Sequence, residues 1–226
     1  MNEAIYTCCQ LFDSGNFRAV AIRGTLWPNG SGLGIKFLDG TQEQKELVMK
    51  AAEEWNQYAG ITFFETDNIF APVRVSFMAP GYWANVGTSA KKTKFGHPTV
   101  NLGHLLDDGD YDMAYGAALH ELGHVLGLTH EQFSPEININ WDEKAVYEYY
   151  NRLYGWSPQK IRDNVLQTVS RDNPHTPQFD PHSIMLYPIP AELTVDGQAI
   201  PWRNLVLSEL DKQFIAELYP PVVGMG

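Results

Sequence analysis

The stretch ALHELGHVLGLTHEQ, residues 118–132, constrains this chain more than any other. Positions four apart share one face of a helix, so His120 and His124 present their imidazoles to a single point. A continuing helix, rising ~1.5 Å per residue, would carry His130 well past that point. Gly127 permits a left-handed turn that ends the helix and folds His130 back. Glu121 sits one residue round the axis from His120, where its carboxylate can serve a bound water without ligating the metal. Two helical histidines, a base and a third histidine beyond a glycine form a zinc-ligand pattern. Three protein ligands leave a fourth position open, as in a catalytic zinc site and not a structural one. A lone histidine on such a helix is more often a core or surface residue; the joint spacing is what favours the metal.

The rest of the chain supplies a scaffold. At 226 residues it suits one domain, or one domain split by a cleft into two lobes. LGIKFLDG (33–40) predicts a strand closed by an Asp-Gly turn, and residues 41–58 a helix capped by Thr41 and stopped by Gly60. Leu47, Val48, Ala51, Ala52 and Trp55 fall on one face of that helix. Strands are expected at 61–66, 73–78 and 97–103, a glycine-punctuated loop at 81–92 and a second long helix at 111–128. Beyond residue 130 helices are expected at 142–154, 158–169 and 208–218, separated by loops. The expectation is a mixed α+β fold: an N-terminal lobe (18–130) with a twisted mixed sheet and two long helices, and an irregular, mainly helical C-terminal lobe (131–226). Residues 1–17 read as an N-terminal extension.

A net charge of −11 argues against a nucleic-acid backbone or an anionic membrane as partner. No apolar run of about 20 residues is present, so no membrane insertion is expected. Cys8 and Cys9 are the only cysteines, and neighbours in sequence rarely bridge, so no disulfide framework is expected. The N-terminus lacks the basic start and apolar run of a secretory signal.

The extended string from His120 to His130 resembles the metzincin signature, and Glu131 directly after the third histidine points to the astacins. SIMLY (183–187) resembles that family's Ser-x-Met-x-Tyr turn. GYWANVG (81–87) resembles its Gly-x-Trp-Ser-x-Val-Gly segment, and TVNLG (99–103) falls where astacins have the edge strand that binds an extended peptide. The likeness spans roughly residues 24–218. Three departures stand out: no disulfides, which suits a bacterial branch; QFSPEININ in place of the family's Arg-x-Asp-Arg-Asp; and Leu186 where many members have His.

The resemblance implies a metzincin fold and a zinc-dependent endopeptidase acting on polypeptides. It implies His120, His124 and His130 as ligands of one Zn2+ and Glu121 as general base. Tyr187 would be a further ligand that swings away to stabilise the oxyanion, and Met185 the apolar floor beneath the metal. Trp83, Thr99, Val100 and Asn101 would meet substrate, and Arg203 would either favour an acidic side chain or be a plain surface residue. Cys8 or Cys9 would either fill the open zinc position in a latent form or be incidental thiols. Glu131 would either meet a mature N-terminus or be an ordinary surface or capping carboxylate. A secreted or exported monomer is expected, an intracellular one being compatible with the same sequence. Two other readings stand beside this one: a matrixin-like protease, and a silent zinc-bearing module that captures peptides without cutting.

Overall fold

The computed structural model describes residues 24–166, 178–200 and 204–221, together with the backbone of residues 8–11. Its sheet contains β1 (Cys8–Leu11), β2 (Gly32–Phe37), β3 (Thr62–Glu65), β4 (Val73–Ser76), β5 (Tyr82–Asn85) and β6 (Val100–Leu102). The spatial order is β1-β5-β6-β4-β2-β3. β5 runs antiparallel to β6, whereas the pairs β2–β3, β2–β4, β4–β6 and β1–β5 are parallel.

Parallel neighbours require a crossover, and α1 (Gln42–Asn56) provides it between β2 and β3. Thr41 starts this helix through a capping box: its hydroxyl accepts from Gln44 N at 3.3 Å, and the Gln44 side chain accepts from Thr41 N at 2.9 Å. The face Leu47, Val48, Ala51, Ala52 and Trp55 is buried as its spacing predicts. Trp55 donates its indole N–H to Leu119 O at 3.0 Å, which ties α1 to α2 (Tyr111–Val125). Burying an indole while satisfying its donor fixes the relative position of the two long helices.

The second part of the chain contains α3 (Glu143–Tyr154), α4 (Pro158–Ile161), a π-helical turn (Arg162–Leu166) and α5 (Glu209–Leu218). Val146, Tyr149, Tyr150, Trp156, Ile161, Val165, Ile189 and Leu193 form a separate small core there. α5 instead joins the main core, where Ile215 and Tyr219 are buried. The Tyr219 hydroxyl accepts from Trp27 N at 3.2 Å and donates to Leu126 O at 2.7 Å, so the end of the chain braces the end of α2.

Two expectations are corrected. Residues 81–92 are not all loop: β5 occupies four of them, followed by a 3-10 helix at Gly87–Lys92. The glycines at 81 and 87 leave only a short extended run, too brief for its alternation to stand out. Within residues 1–17, β1 pairs with β5 at the sheet's margin. The helix expected at 158–169 is interrupted by the π turn, and residues 167–177 lie outside the described region.

Candidate metal centre

α2 starts on Asp110, whose carboxylate accepts from Met113 N at 3.0 Å, and ends in a Schellman turn. Gly127 takes φ +98, its N–H bonds His124 O at 2.8 Å, and Leu128 N bonds Gly123 O at 3.0 Å. This turn also builds the site, because it delivers the Leu128 carbonyl to 2.9 Å from His124 Nδ1. His120 Nδ1 makes the equivalent bond, 2.7 Å, to Ile184 O in the SIMLY segment.

A carbonyl can only accept, so in both rings Nδ1 carries the proton and Nε2 is left with its lone pair. The candidate donor atoms of His120, His124 and His130 all lie within 4.8 Å of one another, and all three rings are buried. His124 Nε2 and His130 Nε2 are 3.2 Å apart. Two nitrogens on one tetrahedral zinc, each at ~2.0–2.1 Å, would be about 3.3 Å apart. Burial holds the His120 imidazole down to about 4, opposed in part by its bond to Ile184. His124 and His130 are held well below the usual histidine range, by burial first and by neighbouring imidazoles second. Neutral imidazoles with oriented lone pairs are the form a divalent metal needs, and the donor set fits zinc.

Glu121 is buried, 1% exposed, on the turn that carries His120. Met185 is equally buried, and its fit explains a glycine whose role the sequence did not disclose. A Cβ on Gly123 would stand 2.5 Å from the Met185 sulfur and 3.3 Å from the Trp55 ring. Only glycine lets the helix lie so close to the methionine. Tyr187 is buried with its ring centroid 4.6 Å from that of His130, and its hydroxyl donates to Asn164 O, on the π turn, at 3.4 Å.

A carboxylate strap holds the SIMLY segment in place. Asp211 of α5 accepts from Ser183 Oγ at 2.7 Å, from Ile184 N at 2.8 Å and from Ser208 N at 2.9 Å. Desolvation raises its pKa despite these three bonds. Locally Asp211 closes the capping box that Ser208 opens at the start of α5, but its bond to Ser183 spans 28 residues. Glu131 is not a surface residue: it is 3% exposed and accepts from Asp180 N at 2.9 Å, and Glu131 N donates to Met185 O at 3.0 Å. Burial pushes its carboxyl up to about 8, opposed by the bond from Asp180.

The predicted substrate edge needs correction. Thr99 precedes β6, and Val100 and Asn101 lie on it; β6 is an interior strand between β4 and β5, with all three side chains buried. Asn101 Oδ1 accepts from Ala79 N at 3.3 Å and its amide donates to Ala79 O, while Thr99 Oγ accepts from Arg74 N, so both side chains serve the scaffold. The strand outside them is β5, where Trp83 is half-buried opposite Asn101 and β1 pairs along the other side. β1 sets Cys8 opposite Tyr82 and Cys9 opposite Trp83 in register. Arg203 lies outside the described residues.

The model of the Astacin peptidase family matches residues 23–191. The chain belongs to the astacin family. The fold agrees: the structure of myroilysin superposes with a TM-score of 0.80 at 35% identity, covering 90% of this chain and 99% of that one. High choriolytic enzyme 1, a hatching enzyme zinc-protease from Oryzias latipes, shares the fold at a TM-score of 0.64 and 17% identity, over 89% of this chain and 100% of that one. Astacin-like metalloprotease toxin 5 of Loxosceles gaucho is 26% identical over 174 residues, 75% of this chain and 80% of that protein. Human Tolloid-like protein 1 is 25% identical over 114 residues, 49% of this chain, and the match spans 10% of that much longer protein. Astacins are zinc metalloproteases, and the histidine triad stands ready for such an ion. The matrixin-like alternative is set aside by this membership.

Proposed function

We propose that this chain is a zinc-dependent endopeptidase that cuts extended polypeptides, with a single Zn2+ held by His120, His124 and His130. The observation that carries this reading is the triad itself: three buried, neutral imidazoles, two of them oriented through Nδ1 by backbone carbonyls. All the groups it needs come from one chain, which suits a monomer. We take residues 18–226 as one peptidase domain, with its lobes meeting at residues 130 and 131.

When bound, the ion supplies Lewis acidity that makes water a stronger acid and polarises a carbonyl. Glu121, buried beside the triad, removes a proton from the attacking water, holds it on its carboxylate and delivers it to the leaving amine. Tyr187 turns its hydroxyl from Asn164 O toward the oxyanion, a donor contributing about 3 kcal/mol to the transition state. Met185 closes the floor and excludes water. A substrate in extended form would pair along β5, beside Trp83.

That same margin is covered by β1, which supports a latent state in which a substrate must displace residues 8–11. Cys8 or Cys9 would then occupy the open metal position, since thiolate is a good zinc ligand. The toxin and hatching-enzyme names of two relatives support a protein exported from its cell. None of the described helices is long and apolar enough to cross a membrane. Incubation with casein, with and without 1,10-phenanthroline, tests the function: cleavage that the chelator stops supports it, and cleavage indifferent to the chelator contradicts it.

A further inference from the structure

A cavity of about 600 Å³, lined by none of the three histidines, is formed by Trp27, Gly32, Phe70, Arg74, Lys91 and Phe95 among others. Its charge runs against that of the whole molecule. The chain has 27 acidic and 16 basic side chains. Yet the residues that line the cavity include Arg74 and Lys91 and no Asp or Glu.

Arg74 is the unusual member. It is 6% exposed, and its guanidinium donates to the carbonyls of His97 at 2.7 Å, Ala71 at 2.9 Å and Thr93 at 3.4 Å. No carboxylate among the described residues is within ion-pair distance of it, and burial draws its pKa down with no acid opposing. A buried charge without a counter-ion is costly, and a guanidinium with three of its five N–H groups engaged retains donors for an anion. Lys91 adds a second cation, its ammonium 5.2 Å from the Trp27 ring centroid. The rim is apolar and open: Phe70 is 73% exposed, Phe95 58%, and their rings are 5.3 Å apart. Exposed aromatic rings beside cations that have no carboxylate partner among the described residues form a surface that selects for acid and apolar groups together.

We propose that this cavity is an exosite for an acidic stretch of polypeptide, its carboxylates directed at Arg74 and Lys91, with Lys94 close by between the lining residues Thr93 and Phe95, and its apolar side chains laid on Trp27, Phe70 and Phe95. As a substrate-holding site it rests on the endopeptidase function proposed above. It would hold a protein substrate at a distance from the cut and favour acidic proteins over short neutral peptides.

The test is binding without turnover, in the Glu121→Ala chain, by the fluorescence change at Trp27 and by calorimetry. The probes are the peptides Glu-Phe-Glu-Phe-Glu and Lys-Phe-Lys-Phe-Lys. The acidic peptide is expected to bind at least about tenfold more tightly, to weaken steeply with salt, and to lose about tenfold in affinity with Lys91→Glu/Lys94→Glu. Phe70→Ser/Phe95→Ser, both on the surface, is expected to weaken it as well. Equal binding of the two peptides, or insensitivity to both double variants, overturns the site. Abolition by 1,10-phenanthroline would place the peptide at the triad instead, and tighter binding of heparin would overturn the polypeptide assignment. Because no cleavage is read, a chain that binds the acidic probe but never cuts casein keeps the exosite and loses the endopeptidase function.

Discussion

The carbonyl of Leu128 accepts a hydrogen bond from His124 Nδ1 at 2.9 Å, and it can do so only because the helix carrying His124 has already ended. One turn therefore stops α2, orients one imidazole and sends the chain on to His130.

Gly127 makes that turn possible at φ +98. Gly127→Ala is expected to cost roughly 1–2 kcal/mol for the left-handed backbone. It also places a Cβ 2.9 Å from Leu26. Because the strain falls on the turn, zinc affinity should fall along with the melting temperature. A variant as stable as the parent, with undiminished zinc affinity by chelator competition, would contradict this account.

Asp211 holds the segment whose Ile184 carbonyl orients His120. Asp211→Ala leaves the Ser183 hydroxyl and the N–H groups of Ile184 and Ser208 without their acceptor. Losing a buried acceptor of several bonds should destabilise the fold by about 3 kcal/mol, measured by urea unfolding. The accompanying loss of zinc affinity separates a metal-supporting role from mere stability.

Tyr187 rests against Asn164 O and is expected to act only as charge develops on the substrate. Tyr187→Phe should therefore lower kcat about tenfold or more while moving KM little. A variant with raised KM and intact kcat would show ground-state binding instead.

If β1 masks the outer side of β5, removing it should release activity. Deletion of residues 1–16, or Cys8→Ser/Cys9→Ser, is expected to raise the initial rate of casein cleavage. The double variant tests the thiols alone; a rise seen only with the deletion would assign latency to strand pairing without zinc ligation.

The triad was legible because its geometry is local: His120, Glu121 and His124 obey helix periodicity, and a glycine marks where it breaks. The capped face of α1 was legible for the same reason. β5 was not, since four residues between glycines carry too little alternation to betray a strand. Its place outside β6 is a matter of strand order, which moved the candidate substrate edge from Thr99–Asn101 to residues 82–85. Gly123, and the hold of Asp211 on the SIMLY segment, escaped because their reasons are distant in sequence: one answers to Met185, the other to Ser183 and Ile184, although the Ser208–Asp211 capping box is local.

Glu121→Ala tests the central claim most directly, by zinc content and casein cleavage measured on the same sample. The account predicts one zinc per chain, as in the parent, with cleavage reduced to background. Retained turnover in a zinc-loaded variant would contradict it.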